Sequence, residues 1–222
     1  MKTFVNFILF VTVSCLLFSC QKELSIDSSL PSDNNGNNNG NNSGNTSIIG
    51  DWSFIGADMD VSSTGKATDD MMGNIEITTS YKTTTINNKG SLKITATDII
   101  STDFSYSISA NAKMQTFIGG ILTSTQELPF EVDVPTSSSS GKYQQIGNDS
   151  LYLPNGALIS VPDGISNIPS TTTSEPSGAK FSIASDTLRF FGGMNQTSNQ
   201  NYQGQTISVT QKALVILKYK RK

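Results

Sequence analysis

The sequence predicts an all-β domain, an antiparallel up-and-down barrel of about eight to ten strands, behind a secretory leader and a polar tether. Apolar and polar side chains alternate in most segments after residue 48, and Gly, Asn and Pro punctuate these segments. No segment after residue 20 shows a helical stripe of apolar residues. A β-sandwich is the alternative arrangement of the same strands.

The first 19 residues have the pattern of a signal peptide. Lys2 precedes an apolar run from Phe4 to Phe18, which is shorter than the about 20 residues that a membrane span needs. The run ends in Leu-Phe-Ser-Cys20, which resembles the lipobox of bacterial lipoproteins. The resemblance implies that cleavage precedes Cys20, that Cys20 carries a diacylglycerol, and that acyl chains are the membrane partner of the mature protein.

Residues 20–47 are predicted to be the lipidated N-terminus and a disordered tether. Every residue from Asn34 to Asn45 is Asn, Gly or Ser, so no burial can offset the entropy of ordering. As a flexible coil, residues 21–47 would span about 30 Å on average and roughly 90 Å when fully extended. The segment Gln21–Glu23 resembles the short charged signals of Gram-negative surface lipoproteins. This implies an outer-membrane anchor, with the domain facing either the periplasm or the cell exterior.

Residues 48–222 form the predicted folded domain. Its expected strands lie in the alternating segments 75–81, 92–96, 104–114, 128–134, 151–153, 158–161, 181–183, 188–190 and 206–219. Turn residues place the expected turns at 87–90, 119–120, 155–156 and 185–186. Pro135 and the Ser-rich segment behind it are expected to end a strand. Across the last of these turns, Phe181 and Ile183 are expected to pair with Leu188 and Phe190.

Composition excludes several kinds of chemistry. The chain has no His, and its two cysteines are Cys15 in the leader and Cys20. The domain therefore lacks the commonest general base, the commonest metal ligand and a reactive thiol. A formal net charge of −3 gives no basic surplus for a nucleic-acid partner. We expect no catalytic, cofactor-binding or metal-binding residues and no enzymatic activity.

Short motifs in the domain match known chemistry only in part. The ligand offsets of a calcium loop are occupied by Asp58, Asp60, Ser62, Thr64, Lys66 and Asp69. Ser63 occupies the glycine position of that motif and its last ligand is Asp, so a solvated acidic loop is the better interpretation. The segments 63–66 and 177–180 match the Ser-x-x-Lys pairing of penicillin-binding proteins. That chemistry needs the pair on a helix, and both segments lie in turn-rich sequence.

Gly50-Asp51-Trp52, at the start of the domain, resembles the Gly-x-Trp opening of lipocalins and related calycin barrels. The segment 147–152 is similar to lipocalin-like domains of Gram-negative lipoproteins. The resemblance implies that Gly50 and Trp52 close one end of a barrel and that an arginine of a late strand packs across the tryptophan. Of the two arginines of the chain, Arg189 is the expected one.

The same resemblance implies a function. A lipocalin-like interior holds a small, apolar molecule, so an anchored binding protein is the first hypothesis. The alternative is a structural or interaction lipoprotein of the cell envelope, with a packed core and partner-binding loops.

Overall fold

The computed structural model describes residues 47–69, 71–154, 177–202 and 205–222. All regular structure in these ranges is β-strand, which confirms the prediction of an all-β domain. The predicted leader, Cys20 and the tether up to residue 46 lie outside the described residues. So do the expected strand at 158–161 and the expected turn at 155–156.

Ten strands follow one another along the described chain, within the predicted range. Three of them, β1, β4 and β5, have 20, 21 and 22 residues. The strands are β1 (Gly50–Asp69), β2 (Gly73–Thr84), β3 (Ile86–Ile94), β4 (Asp98–Ile118), β5 (Ile121–Lys142), β6 (Gln144–Ile146), β7 (Ser150–Leu153), β8 (Ser177–Ala184), β9 (Thr187–Tyr202) and β10 (Gln205–Arg221).

The ten strands form one antiparallel sheet. β2 and β3 share one side of β1, because β3 pairs with the start of β1 and β2 with the remainder. The order across the sheet is therefore β5, β4, β2 with β3, β1, β10, β9, β8, β7 and β6. The first and last strands of this order, β5 and β6, are separated in sequence only by Tyr143, whose N–H donates to the carbonyl of Thr97 at 3.0 Å.

The turn expected at residues 87–90 is wrong, because the chain there keeps its direction between β2 and β3. Thr85 exchanges backbone and side-chain hydrogen bonds with Ala57, at 2.9 and 2.8 Å. The amide of Asn88 donates to the carbonyls of Ile55 and Thr85. These contacts satisfy the backbone at a kink in which the register with β4 shifts, so the polar residues form an irregularity within a strand.

The strand end expected at Pro135 is also wrong, since β5 continues to Lys142. Val134 pairs with Tyr106 and Ser137 pairs with Phe104, so the register shifts where Pro135 lies. A proline, which has no N–H to donate, is tolerated at such a shift.

Two predicted hairpins are confirmed. Gly119 and Gly120, with φ of 59° and 81°, form the turn between β4 and β5. Across the turn between β8 and β9, Phe181 pairs with Phe190 and Ile183 with Leu188, as the alternation predicts.

Strand alternation gives the sheet an inner face, defined here as the face that carries Trp52, Phe54 and Tyr219. One end of this face holds a cluster of buried aromatic and aliphatic side chains, which is the hydrophobic core. The cluster comprises Ile48, Trp52, Phe54, Ala57, Leu92, Ile94, Ile99, Phe104, Tyr143, Leu151, Leu153, Phe181, Leu188, Phe190 and Tyr219.

Gly90 is expected to be essential for the approach of β3 to β4. A Cβ atom at Gly90 would lie 2.8 Å from the Cα of Phe104, and φ is +120°. We expect Gly90→Ala to lower the free energy of unfolding by about 2–4 kcal/mol in urea titration. Gly119→Ala is the control, since its φ is +59° but its Cβ would meet nothing within 4 Å. It should lose about 1 kcal/mol, and equal losses would contradict the close approach.

Candidate functional site: the inner face of the sheet

Trp52 lies at the core end of the inner face and is fully buried. Its indole N–H donates to the carbonyl of Ile48 at 2.9 Å, so the polar atom of this buried ring is satisfied. Gly50 lies beside the ring, with φ of +146°, and a Cβ there would lie 3.1 Å from Nη1 of Arg221. Gly50 and Trp52, which were expected to close this end of the domain, thus both lie beside Arg221.

That arginine is Arg221 and not Arg189, so the expected identity is wrong. The guanidinium carbon of Arg221 lies 4.3 Å from the centroid of the Trp52 ring, and the two residues are register partners in β1 and β10. Nη2 of Arg221 also donates to the carbonyl of Ser47 at 2.6 Å. Arg189 is opposite Lys218 in the sheet. It alternates with the inward Leu188 and Phe190, so it lies on the other face.

An aromatic cluster forms the floor of the inner face. The ring of Phe54 lies 4.5 Å from that of Phe104, 5.4 Å from that of Tyr219 and 6.2 Å from that of Tyr106, between centroids. These tilted contacts are the geometry that aromatic quadrupoles favour. Packing at this end of the domain is therefore dense and specific.

Three tyrosines mark the boundary between this floor and the longer part of the sheet. Tyr219 is 1% exposed and Tyr81 and Tyr106 are half-buried. The Tyr81 ring packs edge-on against Phe130 with centroids 4.9 Å apart. Within the described part of the chain, the hydroxyls of Tyr81, Tyr106 and Tyr219 have no hydrogen-bond partner.

Burial raises the pKa of each of these three phenols. For Tyr106 the neighbouring Tyr81 adds to the rise in pKa, and for Tyr219 the neighbouring Tyr106 does. Negative charge on any of these three phenols is therefore disfavoured in these surroundings. All three remain protonated donors at physiological pH.

Beyond the tyrosines, the inner face is made mostly of small, uncharged side chains, with Ser63, Thr79 and Gln211 among the apolar ones. Val61 on β1 is flanked by Tyr81 on β2 and Ala213 on β10, and Met59 is flanked by Thr83 and Val215. Further inward residues of this wall are Gly65, Ala110, Ala112, Gly192 and Val209. Inward positions of β1 from Phe54 to Ala67, and the positions paired with them in β2 and β10, carry no Asp, Glu, Lys or Arg.

The acidic residues from Asp58 to Asp69 lie on a strand and its turn, so the expectation of a solvated loop is wrong. Asp58 bonds Lys218 at 2.7 Å and Asp60 bonds Lys82 at 2.6 Å. Burial acts to raise the pKa of Asp58, but hydrogen bonds from Lys218 and Thr84 outweigh it and the pKa is lowered. Among the residues the structure describes, no group of His, Cys, Asp and Glu is placed to hold a metal.

The two Ser-x-x-Lys segments also lie on strands. Residues three apart on a strand point to opposite faces, so Ser63 and Lys66 cannot act as nucleophile and base for one another. Lys66 instead bonds Glu76 at 3.1 Å on the outer face. The same alternation separates Ser177 from Lys180 on β8.

Comparison with protein-family models, with curated proteins and with solved structures finds no significant match to this chain. In the part of the chain that the structure describes, no helix has the length and hydropathy to cross a membrane.

The tyrosine group was not predicted from the sequence, but a signal for it exists. Tyr81 and Tyr219 end alternating runs, and Tyr106 lies within one. Their parity with Ile77, Val215 and Ile108 places all three on the inward face. Which strands bring them together depends on the sheet order, and the alternation alone does not give that order.

Arg221 is expected to stabilise the Trp52 end of the domain. Arg221→Ala removes the stacking and the bonds to Ser47 and Ile49, at an expected cost of about 1–2 kcal/mol in the free energy of unfolding. Arg189→Ala is the matched control and should change it by less than about 0.5 kcal/mol. Thermal and urea unfolding measure both, and a larger loss for Arg189→Ala would refute the assignment.

Proposed function

We propose that this chain is an outer-membrane-anchored lipoprotein whose sheet closes into a lipocalin-like barrel and binds a small apolar molecule on its inner face. The sequence features of residues 1–23 support the lipid anchor at Cys20. The described strands support the binding domain.

Two contacts support closure of the sheet into a barrel. β5 pairs with β4 at one end of the strand order, and after Tyr143 the chain continues as β6, which pairs with β7 at the other end. The same continuous stretch of chain thus joins both ends of the order, as closure requires. Arg221 stacked on Trp52 matches the arginine and tryptophan pairing that the lipocalin resemblance implies.

The observation that carries the binding proposal is the wall above the aromatic floor. The wall includes three inward side chains that are only half-buried, those of Val61, Ala213 and Val215. The long strands that hold them therefore leave part of each side chain uncovered. Small apolar side chains on an inward surface leave room beside them, and apolar surface of this kind is what lines small-molecule sites. A ligand there would be covered by strands on several sides.

Filling the wall should weaken ligand binding. N-phenyl-1-naphthylamine is a neutral apolar dye whose emission rises on transfer from water, and we expect saturable enhancement with the mature chain. Ala213→Phe should weaken dye binding about tenfold or more, because the new ring occupies the space beside Val61. Lys212→Phe, one residue away on the outer face, is the control and should bind as the parent does. Identical dye affinity in both variants would argue against the inner face.

The hairpin tips favour a second candidate function. Met71 is 96% exposed and Ile121 is 71% exposed, on the β1–β2 and β4–β5 turns. The two tips are adjacent, since the N–H of Gly119 donates to the carbonyl of Asn74 at 2.8 Å. Exposed apolar groups on neighbouring loops are typical of contact surfaces. This favours an interaction lipoprotein, which is the better reading if the dye fails to bind the folded parent.

Cys20→Ser is expected to release the protein from the membrane. Without the thiol there is no acyl anchor, and the tether has no apolar segment to replace it. In detergent-phase partition of cells, the parent should enter the detergent phase and the variant the aqueous phase. Retention of the variant with membranes would contradict lipidation at this residue.

A further inference from the structure

The inner face has two properties that together specify the chemistry of a ligand. It presents the hydroxyls of Tyr81, Tyr106 and Tyr219, and its inward positions on β1, β2 and β10 carry no charged side chain. We propose that this surface selects neutral amphiphilic molecules, which accept hydrogen bonds from these tyrosines through a carbonyl, ester or hydroxyl oxygen, and discriminates against ligands with a charged head group. The inference rests on the proposed binding function and defines its ligand class.

Two of the tyrosines pack on the same aromatic ring of the floor. Tyr106 and Tyr219 both pack on Phe54, with centroids 6.2 and 5.4 Å from it, and Tyr81 is near enough to Tyr106 to affect its ionisation. Their hydroxyls have no acceptor among the described residues. None of them is among the buried polar atoms without a partner in the described chain, which are Oγ of Ser177 and Oγ of Ser182. The tyrosine hydroxyls therefore reach the surface of the inner face, where a ligand oxygen can replace water as their acceptor.

The same surroundings disfavour an anion. Burial raises the pKa of all three phenols, which means that negative charge is destabilised at this position. A carboxylate head group would meet the same apolar medium. The nearest cations that the structure describes are committed elsewhere, because Lys218 bonds Asp58 on the outer face and Arg221 stacks on Trp52 beneath the core. A charge buried without a counter-ion is strongly disfavoured.

Tyrosine hydroxyls also hydrogen-bond to water, so a hydrated inner face without ligand selectivity is the competing outcome. The two possibilities differ in what they predict for head-group charge. Bound water would leave binding dependent on tail length alone. Selection by the tyrosines makes binding depend on the charge and acceptor capacity of the head group.

A matched pair of probes tests the inference: methyl dodecanoate and dodecanoate, each displacing N-phenyl-1-naphthylamine at pH 8. The protein is the mature chain from residue 20 with Cys20→Ser, which needs no detergent. We expect the ester to displace the dye at a concentration at least about tenfold lower than the carboxylate. At a pH below the pKa of the fatty acid, the protonated acid should displace the dye at nearly the same concentration as the ester does. The ratio of these two displacement concentrations, measured at that pH, is the readout.

Single Tyr→Phe variants separate a hydrogen-bonding role from packing. Tyr106→Phe and Tyr219→Phe should weaken ester binding about threefold to tenfold more than they weaken dye binding, because the dye has no oxygen to accept a hydrogen bond, and the melting temperature should stay near the parent value. Tyr152→Phe, at an exposed position of β7, is the matched control and should change nothing. Equal displacement by ester and carboxylate at pH 8, or ester affinity unaffected in both inner-face variants, would overturn the inference while dye binding still supports the proposed function. Absence of dye, ester and carboxylate binding would overturn both.

Discussion

The pairing of the first strand of the domain with its last is the constraint on which the rest of the structure depends. β1 and β10 run antiparallel from Trp52 opposite Arg221 to Lys66 opposite Ser208, with one shift of register between Phe54 and Gly56. Because alternate residues on a strand face opposite sides, this pairing decides which side chains of both strands point inward. A slip of one strand by one residue would turn its own inward set to solvent, with either Phe54 of β1 or Tyr219 of β10 exposed and either Asp58 or Lys218 brought inside.

The charged residues of these strands reinforce that register from the outer face. Cross-strand ion pairs join Asp58 with Lys218 and Asp60 with Lys82. Such partly exposed pairs contribute little to stability. They do penalise alternative registers, in which like charges would be opposed or charges would be inward. Separating charge to one face leaves the other free for apolar contacts, and this is the physical origin of the uncharged wall above the core.

The sequence predicts the faces of the strands better than it predicts their connections. Alternation identified Phe104 to Met114 and the hairpin pairing of Phe181 with Phe190, because period two is a local property. The residues 87–90 look like a hairpin turn, but their conformation is set by distant partners, Ala57 through Thr85 and Phe104 through Gly90. No local pattern encodes those contacts, so the turn and the kink are indistinguishable in sequence.

The arginine and the tyrosines illustrate the same limit at the candidate site. Arg189 lies between Leu188 and Phe190, and strand alternation places it on the face opposite to theirs. The sequence alone therefore argues against the role that was expected of Arg189. That Arg221 reaches Trp52 requires knowledge that the two ends of the domain are adjacent strands. The tyrosine group likewise needs β2, β4 and β10 to converge, which depends on the sheet order.

The choice of tyrosine over phenylalanine at these positions bears on the proposed function more than on packing. Phe54, Phe104 and Phe190 fill the neighbouring positions of the aromatic floor without any polar atom. A phenylalanine at residue 219 would keep the ring contacts that Tyr219 makes with Phe54 and Phe190 and would remove only the hydroxyl. Packing alone therefore does not require a tyrosine there. What the hydroxyl adds is a hydrogen-bond donor at the surface of the inner face, which is the property that the proposed recognition of a ligand oxygen uses.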